Sequence, residues 1–205
     1  HLGQIEEVVR QAKAARRLIP LMGLLYLVSF LDRVNVSYAA LTMNADIGLS
    51  ASAFGLGAGI FFIGYFLFEI PSNLILHRVG ARRWIARILV TWGIVSMAMA
   101  GVSGPTSFYI ARFLLGVAEA GFFPGMILYL TYWFPAAERG RIIGAFMVAV
   151  PVASAIGGPI STTLLGTSIF GLAGWLSMIL LQALPAILLG FLMMVALPDG
   201  HSDAP

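Results

Sequence analysis

Long apolar runs, separated by short polar or turn-forming segments, dominate the pattern along the chain. Six of these runs reach the roughly 20 residues that an α-helix needs to cross a bilayer core about 30 Å thick. They do not alternate with a period of two, so each run predicts a transmembrane helix rather than a strand of a barrel. The predicted spans are Leu18–Leu41, Ala53–Leu76, Trp84–Ser103, Ser107–Thr131, Ile142–Leu165 and Gly171–Leu197. The pattern therefore predicts an all-α membrane protein with six transmembrane helices.

The composition points to the same class of protein. Of the 205 residues, 60% are hydrophobic and only 10% are charged, whereas a soluble domain carries about 25% charged residues. The absence of cysteine excludes a disulfide scaffold, a cysteine-bound metal and a thiol nucleophile. The three histidines are terminal or in a predicted loop, so we predict no metal site. No metalloprotease, serine-hydrolase or phosphate-loop motif occurs, so we predict that the protein is not an enzyme.

Two glycine patterns are best explained by helix packing. The run Gly55–Gly59 looks like the start of a dinucleotide-binding fingerprint, but it lies inside an apolar span with no strand before it. Gly121 and Gly125 form a spaced pair of small residues of the kind that lets two membrane helices approach closely. We therefore predict close helix–helix contact at both places, and no cofactor.

The distribution of the positive charge predicts the topology. A net charge of +3 is compatible with nucleic-acid binding, but the basic residues lie between apolar spans, so we predict the lipid bilayer as partner and no nucleic acid. Ten of the twelve Lys and Arg residues lie before span one or flank every second connector, which by the positive-inside rule places both ends in the cytoplasm. We predict a cytoplasmic N-terminal segment over 1–17, the bundle over 18–197 and the start of a cytoplasmic interdomain linker over 198–205.

Five ionisable residues lie inside the predicted spans, where charge is costly and usually functional. They are Asp32, Arg33, Glu69, Arg112 and Glu119. At 1.5 Å per residue, Asp32 lies about 13 Å from the outer end of its span. Glu119 lies about 18 Å from either end of its own span. Neither short side chain reaches the interface over such a distance, so both are expected to face protein or a water-filled cavity.

The charges belong to two polar stripes. Arg112, Gly116 and Glu119 share one face of span four, whereas Ser29, Asp32 and Asn35 follow one face of span one. Two stripes of mixed sign near the middle of the membrane favour a site that binds an anion and exchanges protons. The alternative is that these residues form buried ion pairs that only hold helices together.

Three further residues have open interpretations. Arg112 lies close to the start of its span, so it either faces the site or extends to the membrane surface. Tyr65 either contacts a substrate carboxylate or packs between helices. Glu69 is assigned to a cytoplasmic gating region with Arg78, Gly80, Arg82 and Arg83. The alternative is a structural role, in which it pairs with the loop arginines.

Several separate segments resemble the major facilitator superfamily, and within it the anion:cation symporters of organic acids. The segments are Leu31–Ala39, Pro71–Trp84, Arg112–Gly121, Tyr132–Pro135 and Glu138–Arg139, and the resemblance runs from about Leu18 to Asp199. His77 stands where the superfamily's loop motif usually has an acidic residue, a departure that resembles this subfamily rather than the sugar porters.

The resemblance implies a transporter of twelve spans, of which this chain is the N-terminal six-helix half, built from two inverted three-helix repeats. Asp32 and Glu119 match the family's proton-coupling positions, and Arg33 and Arg112 match basic partners of those carboxylates or of the substrate. Asn35 and Tyr65 are further expected substrate-binding residues. The implied partners are a small anionic substrate and the missing C-terminal half, with a proton as coupling ion and no cofactor.

The sequence thus predicts half of a proton-coupled symporter of the bacterial inner membrane. The expected substrate is an organic anion such as a sugar acid, a tartrate-like hydroxycarboxylate or an aromatic acid, moved by alternating access. The alternative is a six-helix membrane scaffold or sensor that transports nothing.

Overall fold

A computed structural model of the chain describes residues Leu2–Ala196, and these form α-helices connected by short breaks. One 3₁₀ turn, Met99–Gly101, follows the third helix. The helices of the described part are α1 (Leu2–Asp46), α2 (Ala51–Val79), α3 (Ala81–Ala98), α4 (Pro105–Glu119), α5 (Phe122–Trp133), α6 (Ala136–Met147), α7 (Ala149–Leu165) and α8 (Gly174–Ala196).

Six helical stretches of the described residues are long and apolar enough to cross a membrane. They are Arg16–Asp46, Ala51–Val79, Ala81–Gly101, Pro105–Trp133, Ala136–Leu165 and Gly174–Val195, and we call them spans 1 to 6. Each overlaps one of the predicted spans, and the predicted fold class, all-α with six transmembrane helices, is confirmed. Spans 4 and 5 each contain two helices, α4 with α5 and α6 with α7.

The helices extend further than the apolar pattern predicted. The charged N-terminal segment is itself helical, because α1 begins at Leu2 and continues into span 1. The predicted connector His77–Arg83 is helical except at Gly80, whose φ of 98° is accessible to glycine without a steric penalty. Leu197 and the predicted linker 198–205 lie outside the described residues.

The packing of the spans has an internal symmetry. α3 packs along α8, α2 along α4, and α1 along α7. The symmetry relates spans 1, 2 and 3 to spans 4, 5 and 6, respectively. Under this exchange the contact between spans 2 and 4 corresponds to the contact between spans 5 and 1, and the contact between spans 3 and 6 corresponds to itself. This is the contact pattern expected of two three-helix repeats.

Span 4 is interrupted directly after Glu119. Gly121 has a φ of 82°, and neighbouring spans satisfy the backbone that this break leaves without helical bonds. The Ser72 hydroxyl donates a 2.8 Å hydrogen bond to the Ala120 carbonyl, and the indole N–H of Trp84 donates to Ser72 at 2.8 Å. Gly121 is therefore a helix break, and it also lies in close helix contact, because a Cβ atom there would overlap the Ser72 side chain. A Cβ atom on Gly125 would lie 2.8 Å from Cδ1 of Leu76, so the close approach predicted for this pair is confirmed.

Glycines of α2 and α4 allow these two helices to approach closely. A Cβ atom on Gly116 would overlap the carbonyl oxygen of Phe61, and one on Gly57 would overlap the Phe108 ring. The predicted packing role is confirmed for Gly57, whereas a Cβ on Gly59 would meet nothing within 4 Å. The close approach matters for function because Gly116 lies between Arg112 and Glu119 on α4.

We expect Gly116→Ala to lower the thermal stability of the protein in detergent by the equivalent of about 1–3 kcal/mol, the usual cost of overpacking. The added methyl group meets backbone, which cannot move aside as a flexible side chain does. The matched control is Gly59→Ala, where the methyl group enters open space. Equal unfolding temperatures for the two variants would contradict the close approach of α2 and α4.

Candidate functional site

A cavity of about 180 Å³ lies between α1, α2 and α4. Its charged lining consists of Asp32, Arg33, Arg112 and Glu119, four of the five intramembrane ionisable residues that the sequence singled out. Apolar side chains, among them Phe61, form most of the remaining wall. The structure thus brings the charges of spans 1 and 4 together in one cavity, as the two polar stripes predicted.

Glu119 is fully buried and has two differently surrounded oxygens. Its Oε1 accepts a 3.0 Å hydrogen bond from Nε of Arg33, which is also an ion pair, and a 3.4 Å hydrogen bond from the Ser29 hydroxyl. Its Oε2 has no hydrogen-bond partner within the described part of the chain. A carboxylate with one oxygen tied to a cation and the other unpaired retains a place for a proton.

Asp32 is 4% exposed, and its carboxylate accepts hydrogen bonds from two side chains of span 3. The indole N–H of Trp92 donates to Oδ2 at 2.7 Å, and the Ser96 hydroxyl donates to Oδ1 at 3.0 Å. No pattern in the sequence singled out these two residues. Their spacing of four places them on one face of α3, but only the packing of α3 against α1 shows that this face meets a carboxylate.

Arg112 is 8% exposed and lines the cavity, so the interpretation that it extends to the membrane surface is wrong in this structure. Its Nε donates to the Gly57 carbonyl at 3.4 Å, and its Cζ lies 4.7 Å from the centre of the Phe61 ring. Among residues 2–196 no carboxylate lies within ion-pair distance of it. A guanidinium carries five N–H donors, so Arg112 has donors left for an anion.

The other expected substrate-binding residues lie outside the cavity lining. Tyr65 contacts Arg33, whose Cζ lies 5.9 Å from the centre of the Tyr65 ring. Asn35 is 1% exposed, and its Oδ1 has no partner among the described residues. Tyr65 is thus positioned to orient Arg33, and Asn35 is a buried polar group of span 1.

The residues assigned to the gating region are spread along two helices. Glu69 is half-buried in α2 and forms no ion pair with any residue that the structure describes. Arg78 and Arg83 are exposed on either side of the Gly80 break, and Arg82 is partly buried and has a partner. The structure therefore does not bring Glu69 into an ion pair with the loop arginines.

Solved structures of transporters have the same fold. A bacterial homologue of the human lysosomal transporter Spinster, in an inward-facing and unoccupied conformation, superimposes with a TM-score of 0.82 at 18% identity, covering 93% of this chain and 44% of that chain. A D-xylose–proton symporter superimposes with a TM-score of 0.77 at 17% identity, covering 90% of this chain and 48% of that chain. At such identities the likeness concerns the fold alone.

Curated relatives are considerably more similar in sequence. A protein of Agrobacterium vitis named "Putative tartrate transporter" is 58% identical over 94% of this chain and 43% of its own length. The quinolone resistance transporter of Acinetobacter baumannii is 53% identical over 89% of this chain and 42% of its own length. The inner membrane transport protein RhmT of Escherichia coli is 42% identical over 98% of this chain and 46% of its own length.

This chain spans less than half the length of each of these curated relatives. The family description that matches the sequence covers residues 22–205, nearly the whole chain. The family of the chain follows from this match together with the six membrane-spanning helices and the symmetric packing of the spans. The chain is a multi-pass membrane protein that belongs to the Major Facilitator Superfamily, a family of transporters rather than enzymes.

Proposed function

We propose that this chain is the N-terminal half of a proton-coupled symporter of organic anions. The observation that carries the proposal is the arrangement of four buried charges around one cavity, with Arg33 paired to Glu119 and Arg112 free of any described carboxylate. The relatives named for tartrate and quinolone transport support a small organic substrate. Their names differ in substrate, so the choice of an anion rests on the two arginines.

The charge balance of the cavity explains how anion and proton binding are coupled. With both carboxyls ionised, Asp32 and Glu119 balance Arg33 and Arg112. An entering carboxylate adds one negative charge to a site surrounded by apolar residues, where uncompensated charge is costly. One proton on Asp32 or Glu119 balances each negative charge that the substrate brings, so a dicarboxylate such as tartrate is balanced when both carboxyls are protonated. Anion and proton therefore each favour the binding of the other.

The proposed cycle uses the arginines for the substrate and the carboxyls for protons. Outside, protons bind to Asp32 and Glu119, and a substrate carboxylate is bound by Arg112 and by the Arg33 guanidinium that the protonated Glu119 releases. Rocking of this half against the C-terminal half then opens the cavity to the cytoplasm. We place the protein in the bacterial inner membrane with both ends of this segment cytoplasmic, and we assign the residues around Gly80 to closure of that side.

The test is uptake by the complete transporter, comprising this half and the second half, in proteoliposomes. We expect a pH gradient, acidic outside, to drive uphill uptake of a radiolabelled hydroxycarboxylate, with tartrate, sugar acids and an aromatic acid as the panel. A protonophore should abolish accumulation, and a sodium gradient alone should not support it. Uptake driven equally well by sodium would refute proton coupling. Absence of transport for the whole panel, in protein that is folded, would favour the scaffold or sensor alternative.

A further inference from the structure

Span 3 contributes the only two hydrogen bonds that the described residues make to the Asp32 carboxylate. Trp92 is fully buried, Ser96 is 5% exposed, and their donor atoms contact different oxygens of the same carboxyl group. Neither residue lines the cavity, so neither is positioned to touch the substrate. Their side-chain hydrogen bonds therefore act on the site through Asp32.

The two donors differ in what they permit. An indole N–H is a donor only, whereas a serine hydroxyl is both donor and acceptor. Trp92 consequently keeps Oδ2 as an acceptor, whether or not the carboxyl group carries a proton. Ser96 donates to Oδ1 of the ionised group and, after rotation of its hydroxyl, accepts a hydrogen bond from a proton on Oδ1.

We propose that Trp92 and Ser96 are positioning residues for proton coupling, which direct the proton of Asp32 to Oδ1. This inference rests on the proposed function and adds span 3 to a site whose charges come from spans 1 and 4. The charged groups that face Asp32 are its neighbour Arg33 and, from α4, Arg112 and Glu119. From α3 the facing groups are the uncharged Trp92 and Ser96.

Trp92 also packs against the segment that follows Glu119. Its ring lies 6.2 Å from that of Phe122, centre to centre, and Phe122 is the first residue of α5 after the break that follows Glu119. The same indole thus contacts Asp32 through its N–H and the segment next to Glu119 through its ring.

The test is Trp92→Phe in the complete transporter, which keeps an aromatic ring and removes the N–H donor. A hydrogen bond to a charged acceptor is stronger than one to a neutral acceptor, so the loss disfavours ionised Asp32 more than the protonated form. We expect the external pH at which uptake falls to half to move upward by roughly half to one unit. Ser96→Ala should shift it in the same direction by less, because the hydroxyl serves both forms, and Ser96→Thr should restore the wild-type profile.

The matched control is Trp175→Phe. Trp175 donates an equivalent indole hydrogen bond, 2.6 Å long, to Asp46 at the far end of α1, and its loss should leave the pH profile unchanged. A second measurement follows the infrared C=O band of the protonated carboxyl, assigned with Asp32→Asn, as a function of pH. The inference would be overturned if a folded Trp92→Phe or Ser96→Ala variant had the same pH midpoint as the wild type. The infrared midpoint reports on Asp32 without transport, so it remains decisive even if uptake by the wild type is not coupled to protons.

Discussion

Glu119→Gln is expected to abolish accumulation of substrate driven by a pH gradient while exchange of substrate across the membrane continues. Glutamine has the shape of the protonated acid and carries no charge, so it leaves the Arg33 guanidinium, which Oε1 of Glu119 binds at 3.0 Å, available to the substrate. It has no proton to release on the inner side. The variant should therefore move labelled substrate only against unlabelled substrate or down its own gradient.

The measurement compares counterflow with pH-driven uptake in proteoliposomes of the complete transporter. Glu6→Gln is the matched control, because Glu6 is exposed near the start of α1 and lies outside the cavity lining, and it should keep both activities. If the Arg33–Glu119 pair is only structural, Glu119→Gln should fold poorly or lose exchange together with accumulation. Uphill accumulation with a normal pH dependence would eliminate Glu119 as the coupling group and leave Asp32.

Arg112→Lys is expected to weaken substrate binding by roughly tenfold or more, about 1.4 kcal/mol or more, although the positive charge is retained. A guanidinium presents two parallel N–H donors to a carboxylate and stacks on an aromatic face, as Arg112 does on Phe61. The ammonium group of lysine is a compact point charge without this fork.

Equilibrium binding of substrate to the purified transporter measures this effect directly. Arg141→Lys, at an exposed position of α6, is the matched control and should bind as the wild type does. Wild-type affinity in Arg112→Lys would remove Arg112 from the substrate site. The anion would then have to be bound by Arg33, whose pairing with Glu119 would compete with it.

The membrane spans and the charged lining of the cavity were predictable from sequence, because each follows from a local pattern. An apolar run of about 20 residues is helical wherever it lies in a bilayer, so the six spans do not depend on their neighbours. Asp32 and Glu119 are too far from the helix ends to reach water, so a place in an interior cavity followed from their positions alone. The role of Arg33 and Arg112 as their basic partners came from the family resemblance, and the side to which Arg112 extends was left open until the structure placed it in the cavity lining.

The position of Tyr65 and Glu69 was less accessible to prediction. One turn of α2 separates them, yet Tyr65 contacts Arg33 and Glu69 has no described ionic partner. Hydropathy does not determine the rotation of a helix that is apolar on every side, because many orientations bury similar apolar area. The close approach of α2 to α4 at Gly57 and Gly116 determines the rotation instead.

By itself, the sequence determined that this protein has six membrane helices and carries five ionisable residues inside them, where hydrocarbon cannot solvate a charge. The tertiary structure decided how those charges are distributed among partners: Glu119 pairs with Arg33, Asp32 is held by Trp92 and Ser96, and Arg112 keeps free donors. Both kinds of information have a physical basis. Transfer into lipid is a property of each segment and can be summed along the chain, whereas a hydrogen bond about 3 Å long depends on the rotation and depth of two helices, which only their packing fixes.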